Sequence, residues 1–254
     1  MATLAPEKTM TDLPARTITL SVYRGDAARG EEVPYDVPVT PGMVVLDAIH
    51  WIQANLAPDL AARWNCKAAR CGSCSAEING RPALMCKTRL DAYYGEEPVH
   101  VRPMRTFPII KDLVTDVSWN FEKAREIPPF HPRTPAPFTM YQRDVNRPQE
   151  FRKCIECFLC QDVCHVLRNH DLKHAYSGPR FMIKIAELEM HPMDDADRVP
   201  YAREDAGVGF CNITKCCQEV CPEEIHITDN AIIPMKERVA DRYFDPIRAI
   251  FRKK

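Results

Sequence analysis

Residues 16–24 (RTITLSVYR) alternate apolar and polar side chains, the period-two pattern of a strand with one buried face. Residues 32–39 (EVPYDVPV) offer a second extended run, interrupted by prolines, and the two predict an N-terminal hairpin. After Pro41-Gly42 the period changes. Val44, Ala48, Trp51, Ile52 and Leu56 recur near helical spacing, which predicts an amphipathic helix over 43–56 that covers a sheet. Residues 75–78 and 83–86 flank Asn79-Gly80, whose positive φ angles suit a type I′ turn, so a second hairpin is expected. The run 99–104 (VHVRPM) is expected to close the sheet. Ile109, Ile110, Leu113, Val114 and Val117 form an apolar stripe that reads as a helix leading out of this unit. Pro128, Pro129, Pro132, Pro135 and Pro137 then mark a stiff connection. Beyond residue 141 strand signals are few and helical ones frequent, notably at 179–190 and 231–242. The expected organisation is α+β: a sheet-and-helix unit over 15–118, a Pro-rich connection over 119–140 and an all-helical unit over 141–254.

The chain has 254 residues, enough for two units that each bury a core. With 34 basic and 35 acidic residues it offers no polycationic attraction to nucleic-acid phosphates, so no nucleic-acid partner is expected. The longest apolar stretch, around 44–52, is broken by Asp47 and His50 and falls far short of the roughly 20 residues of a spanning helix. The first fifteen residues show no apolar core of an export signal. Folding in the cytoplasm is therefore expected, with the basic end at 248–254 available to an anionic surface.

Twelve cysteines alter this picture, because a reducing compartment disfavours structural disulfides and leaves metal binding as their use. All twelve fall in three tight groups. The first, Cys66, Cys71, Cys74 and Cys86, has the C-x4-C-x2-C spacing of a plant-type 2Fe-2S site with a later fourth ligand. Gly72 permits the close turn, and a zinc site would more usually pair C-x2-C motifs. Six basic residues surround this loop, Arg63, Lys67, Arg70, Arg81, Lys87 and Arg89, against one acid, Glu77. They read either as a solvated face or as positive charge that raises the potential of an anionic cluster.

The second group is Cys154-x2-Cys157-x2-Cys160-x3-Cys164 and the third Cys211-x5-Cys217-x3-Cys221-Pro222. In the bacterial two-cluster frame the last cysteine of each run ligates the other cluster. That assigns Cys154, Cys157, Cys160 and Cys221 to a 4Fe-4S cluster, and Cys164, Cys211 and Cys217 to the other. Thr214 stands where a full motif has a cysteine, which leaves three thiolates and favours 3Fe-4S. The spare Cys216 reads as a small buried hydrophobe or, by local distortion, as a fourth ligand. No nucleophile and base, phosphate loop or carboxylate pair suggests bond chemistry.

In this order the motifs NCKAARCGSC with Cys86, FPIIKDLVTD, CIECFLCQDVC, Gly178-Pro179 and CNITKCCQEVCP resemble the iron-sulfur subunit of succinate dehydrogenase and fumarate reductase, most of all actinobacterial-type members. The resemblance covers nearly the whole chain. It implies an N-terminal beta-grasp 2Fe-2S ferredoxin domain and a C-terminal all-helical bacterial-ferredoxin-like domain with 4Fe-4S and 3Fe-4S clusters. It further implies electron transfer between the FAD of a flavoprotein subunit and a membrane quinone, through an integral anchor that often carries haem. The chain would then lie peripherally at the cytoplasmic face of the bacterial inner membrane. Ubiquinone-reducing members usually continue the fourth cysteine of the second group with Pro and then Trp, whereas Cys164 is followed by HVLRNH. This departure favours menaquinone and makes His165 a candidate near the quinone, with helix packing as its alternative role.

Overall fold

The computed structural model describes residues 16–96, 98–135 and 139–245. Pro137 and the basic end at 248–254 lie outside these residues. Strands β1 (Arg16–Gly25) and β2 (Gly30–Val39) pair antiparallel with Val22 opposite Val33, as the alternation predicts. Helix α1 (Val45–Asn55) follows, then the hairpin β3 (Ser75–Ile78) and β4 (Arg81–Leu84), turned by Asn79 and Gly80 at φ +46° and +76°. Strand β5 (Val99–Arg102) does more than close the sheet. It enters the middle, parallel to β1 and antiparallel to β3, giving the order β2-β1-β5-β3-β4. Ile18, Leu20 and Val22 of β1 point to one face, where α1 covers them.

The buried face of α1 is Val45, Leu46, Ala48, Ile49 and Ile52, rotated from the expected stripe. Val44 lies outside the helix as its N-cap, its N–H bonded to the Asp47 carboxylate at 3.2 Å, and Leu56 is 51% exposed. Capping thus shifts the helix start and turns its face.

The expected exit helix over 109–117 is instead a hairpin, β6 (Ile109–Lys111) with β7 (Val114–Thr115). Asp112 takes φ +49° in its turn, and its carboxylate accepts the N–H groups of Gly25 at 2.9 Å and Ala61 at 2.8 Å and the Arg24 Nε–H at 3.2 Å. These bonds tie the turn to the sheet unit, and β-branched side chains suit the extended backbone. The helix starts later, as α2 (Ser118–Glu126).

The Pro-rich stretch is tied to the helical unit. Fully buried Arg198 donates to the carbonyls of Pro128, at 2.9 Å, and Pro129, while pairing with Asp194 at 2.8 Å. The Arg133 N–H bonds the Met193 carbonyl at 2.9 Å. The helical unit that it borders contains α3 (Gln142–Gln149), α4 (Leu159–Val163), α5 (His165–Arg168), α6 (Pro179–Glu189), α7 (Val199–Glu204), α8 (Cys216–Glu219), a π-helical turn at Ile227–Ile232, and α9 (Ile233–Tyr243). Phe181, Met182, Ile185, Ile232 and Met235 pack at its centre. Pro179 opens α6 at the position where its missing N–H costs no helix bond.

Candidate metal centres

The loop 66–74 bends back on itself because Lys67, Ala69 and Gly72 all take positive φ. This turns successive N–H groups inward: Ala68 and Arg70 approach Cys66 Sγ at 3.4 and 3.3 Å, and Ala69 approaches Cys86 Sγ at 3.3 Å. A concavity of backbone donors favours an anion. Cys74 precedes β3, and Cys86 sits two residues beyond β4, just outside the strand expected to carry it. The open end of the hairpin therefore joins the fourth thiol to the other three. Burial works to raise the Cys71 thiol, but bonds from the Ser73 hydroxyl and from backbone groups outweigh it and lower its pKa to about 7. Burial raises Cys74 to about 12.

Cys154, Cys157, Cys160 and Cys221, the four grouped by crossed ligation, line one cavity with Arg180 beside them. Glu156 and Phe158 take positive φ between the first three. Burial pushes the Cys157 thiol up to about 12 and the Cys160 thiol well above its ordinary value. Such thiols become ligands only when a metal displaces their protons. Among the described residues no three His, Cys, Asp or Glu side chains are placed to hold a single ion. The four thiols surround a cavity instead, which suits a multi-atom cluster.

Cys164, Cys211 and Cys217 form the other group, and mutual proximity adds to the burial that raises Cys164 to about 11 and Cys217 to about 12. Half-buried Cys216 is near enough to contribute to both shifts, and its Sγ lies 3.4 Å from Thr214 Oγ1. It is not the buried hydrophobe of the simpler reading. His165 is half-buried, its Nε2 enclosed without a hydrogen-bond partner and its ring edge-on to His170 at 6.4 Å.

The two halves meet at the cysteine loops. A Cβ on Gly72 would stand 2.6 Å from Cys157 Cα, and the Ser75 hydroxyl is 2.8 Å from both the Gly72 and Cys157 carbonyls, dividing its one proton between them. Three members of the basic belt also cross the junction: Arg81 bonds the Glu219 carbonyl at 3.1 Å, Lys87 the Pro222 carbonyl at 3.1 Å, and Arg70 pairs with Glu223 at 3.5 Å. Half of the belt therefore docks the third cysteine run. Beneath it, buried Glu77 pairs with Arg168 at 2.6 Å, and beside it buried Asp162 accepts the Thr106 N–H at 3.0 Å. Burial, with Glu77 adding to it, raises Asp162 to about 7. Pattern reading missed these contacts; the lone acid in the belt was the available signal.

A family model for a 2Fe-2S iron-sulfur cluster binding domain matches residues 19–122, and one for a 4Fe-4S dicluster domain matches 150–225. The fumarate reductase iron-sulfur subunit of Mycobacterium tuberculosis is 33% identical over 202 residues, covering 75% of this chain and 79% of that protein. One subunit of the fumarate reductase (CoM/CoB) of Methanothermobacter marburgensis is 31% identical over 216 residues, 85% of this chain. The chain spans less than half the length of the archaeal relatives it matches, 42% in that case. Among solved structures, a chain of the Mycobacterium smegmatis Sdh1 complex in the apo form superposes with a TM-score of 0.89 at 61% identity, covering 92% of this chain and 99% of that one. A protein matching such relatives over most of both chains belongs to the fumarate reductase and succinate dehydrogenase iron-sulfur subunit family.

Proposed function

We propose that this chain carries electrons between the FAD of a flavoprotein subunit, where succinate and fumarate interconvert, and a membrane quinone. The observation that supports it most is the convergence of Cys154, Cys157, Cys160 and Cys221 on one cavity, beside two further thiol groups of cluster spacing. In this reading Cys66, Cys71, Cys74 and Cys86 hold a 2Fe-2S cluster, those four a 4Fe-4S cluster, and Cys164, Cys211 and Cys217 a 3Fe-4S cluster. Each cluster, when bound, accepts and releases one electron without bond rearrangement. The residues supply the rest. Thiolates fix the cluster positions, the N–H groups of Ala68, Ala69 and Arg70 favour added negative charge, and buried walls keep water away. The Gly72–Cys157 contact holds the first two sites together. No side chain here is assigned dicarboxylate chemistry.

The reading extends to the membrane. No helix among the described residues is long and apolar enough to cross it. As the resemblance implies, an integral anchor subunit holds the chain peripherally at the cytoplasmic face. Menaquinone is favoured over ubiquinone because His165, not Pro, follows Cys164, and the unpartnered His165 Nε2 is the candidate polar atom near it. In the membrane complex, Cys66→Ser should block reduction by succinate while the three-iron signal stays reducible from quinol. Unchanged reduction from both sides would overturn the assigned order.

A further inference from the structure

Two buried hydroxyls stand at the Cys164, Cys211 and Cys217 group. Tyr176 is 1% exposed, and its hydroxyl meets no hydrogen-bond partner. Such an orphan is rare in native interiors. It packs in the core that also holds these thiols: burial pushes the Tyr176 hydroxyl well above its ordinary pKa, and Cys211, Cys164 and Cys217 push the same way. Thr228, also 1% exposed, stands with Oγ1 3.5 Å from Cys217 Sγ. It lies in the π-helical turn, an arrangement frequent at functional sites, and its N–H bonds Gln218 Oε1 at 3.2 Å. A thiolate offers only lone pairs, so once Cys217 binds metal Thr228 must be the donor. The cavity of the Cys154 group is walled by Ile155, Phe158, Ile183, Ile225 and Ile227, with Arg180 and Glu223 as its charged residues.

We propose that Thr228 and Tyr176 set the reduction potential of the cluster held by Cys164, Cys211 and Cys217, Thr228 by donating a hydrogen bond to Cys217 Sγ and Tyr176 by donating one to a sulfur of the bound cluster. This rests on the ligand assignment above. One electron enters the cluster, no bond is made or broken, and both hydroxyl protons stay on oxygen. The donors stabilise the more negative, reduced state, so they raise the potential and make this end of the chain the electron acceptor.

The test is a redox titration of the intact complex followed by electron paramagnetic resonance, on wild type, Tyr176→Phe and Thr228→Val. Each variant should keep the signal of this cluster and lower its midpoint; a tenfold loss of reduced cluster at fixed potential corresponds to about 59 mV. Electron-nuclear double resonance should show one exchangeable proton coupling that is lost in Tyr176→Phe and another that is lost in Thr228→Val, changes that altered packing alone does not produce. Unchanged midpoints, or exchangeable couplings identical in wild type and both variants, would overturn the proposal. Should wild type carry a four-iron cluster here, the ligand assignment falls, and the same midpoint shifts still decide the role of the hydroxyls.

Discussion

Glu77 shows how much one residue contributes at the junction. Its carboxylate is buried, and Arg168 is its closest cation. Removing one partner of a buried pair leaves the other charge uncompensated, so Arg168→Leu should cost about 3–5 kcal/mol. Chemical denaturation of the complex measures this, and adding Glu77→Gln should recover part of the loss. At this scale the three cysteine groups were legible because their spacing is written in the covalent order of the chain. Arg168 and Ser75 were not, since each gains its role from a partner that only folding brings near. The belt around Cys66 was legible as charge, but the docking of Arg81 and Lys87 onto backbone carbonyls left no mark in composition.

Elements repeat this division. Both early hairpins and the helices at 179–190 and 231–242 were readable, since their periods were unambiguous and Asn79-Gly80 or Gly178-Pro179 punctuated them. The 109–117 stripe fits both a helical and an extended period, and the bonds that the Asp112 carboxylate accepts from the Gly25 and Ala61 N–H groups decide between them. The contact between cysteine loops yields a prediction. Gly72→Ala combines a φ of +68° with a Cβ pressed against Cys157, so the variant should lose much of its 2Fe-2S and 4Fe-4S signals while retaining the three-iron signal. Quantitative spectra of the reduced and oxidised complex test this. At the start of the π-helical turn, burial works to raise the Glu150 carboxyl, but bonds from the His226 N–H, Asn230 and the His226 ring outweigh it and hold its pKa below the ordinary value. Its contribution, on the order of 1 kcal/mol, is complete above the unfolded value of about 4.3 and is lost as pH falls through the folded value. Glu150→Gln should lower stability at neutral pH and flatten the acid limb of a stability–pH curve. An unchanged acid limb would show that this carboxylate does not contribute.

In the whole molecule, two ferredoxin-like units share an interface built from the cysteine loops themselves. Cys157 and Leu159 of the helical unit pack in the core of the sheet unit, so the halves cannot separate without disturbing a metal centre. In the proposed function three centres of different type stand in this one chain, the last held by three thiolates at Cys164, Cys211 and Cys217. Reductive titration of the anaerobically purified complex, followed by electron paramagnetic resonance, tests it most directly. The prediction is a three-iron signal in the oxidised protein that vanishes on reduction, with reduced 2Fe-2S and 4Fe-4S signals appearing as electrons are added. Absence of the oxidised three-iron signal, with two four-iron clusters present and Cys216→Ser converting one to a three-iron form, would contradict it.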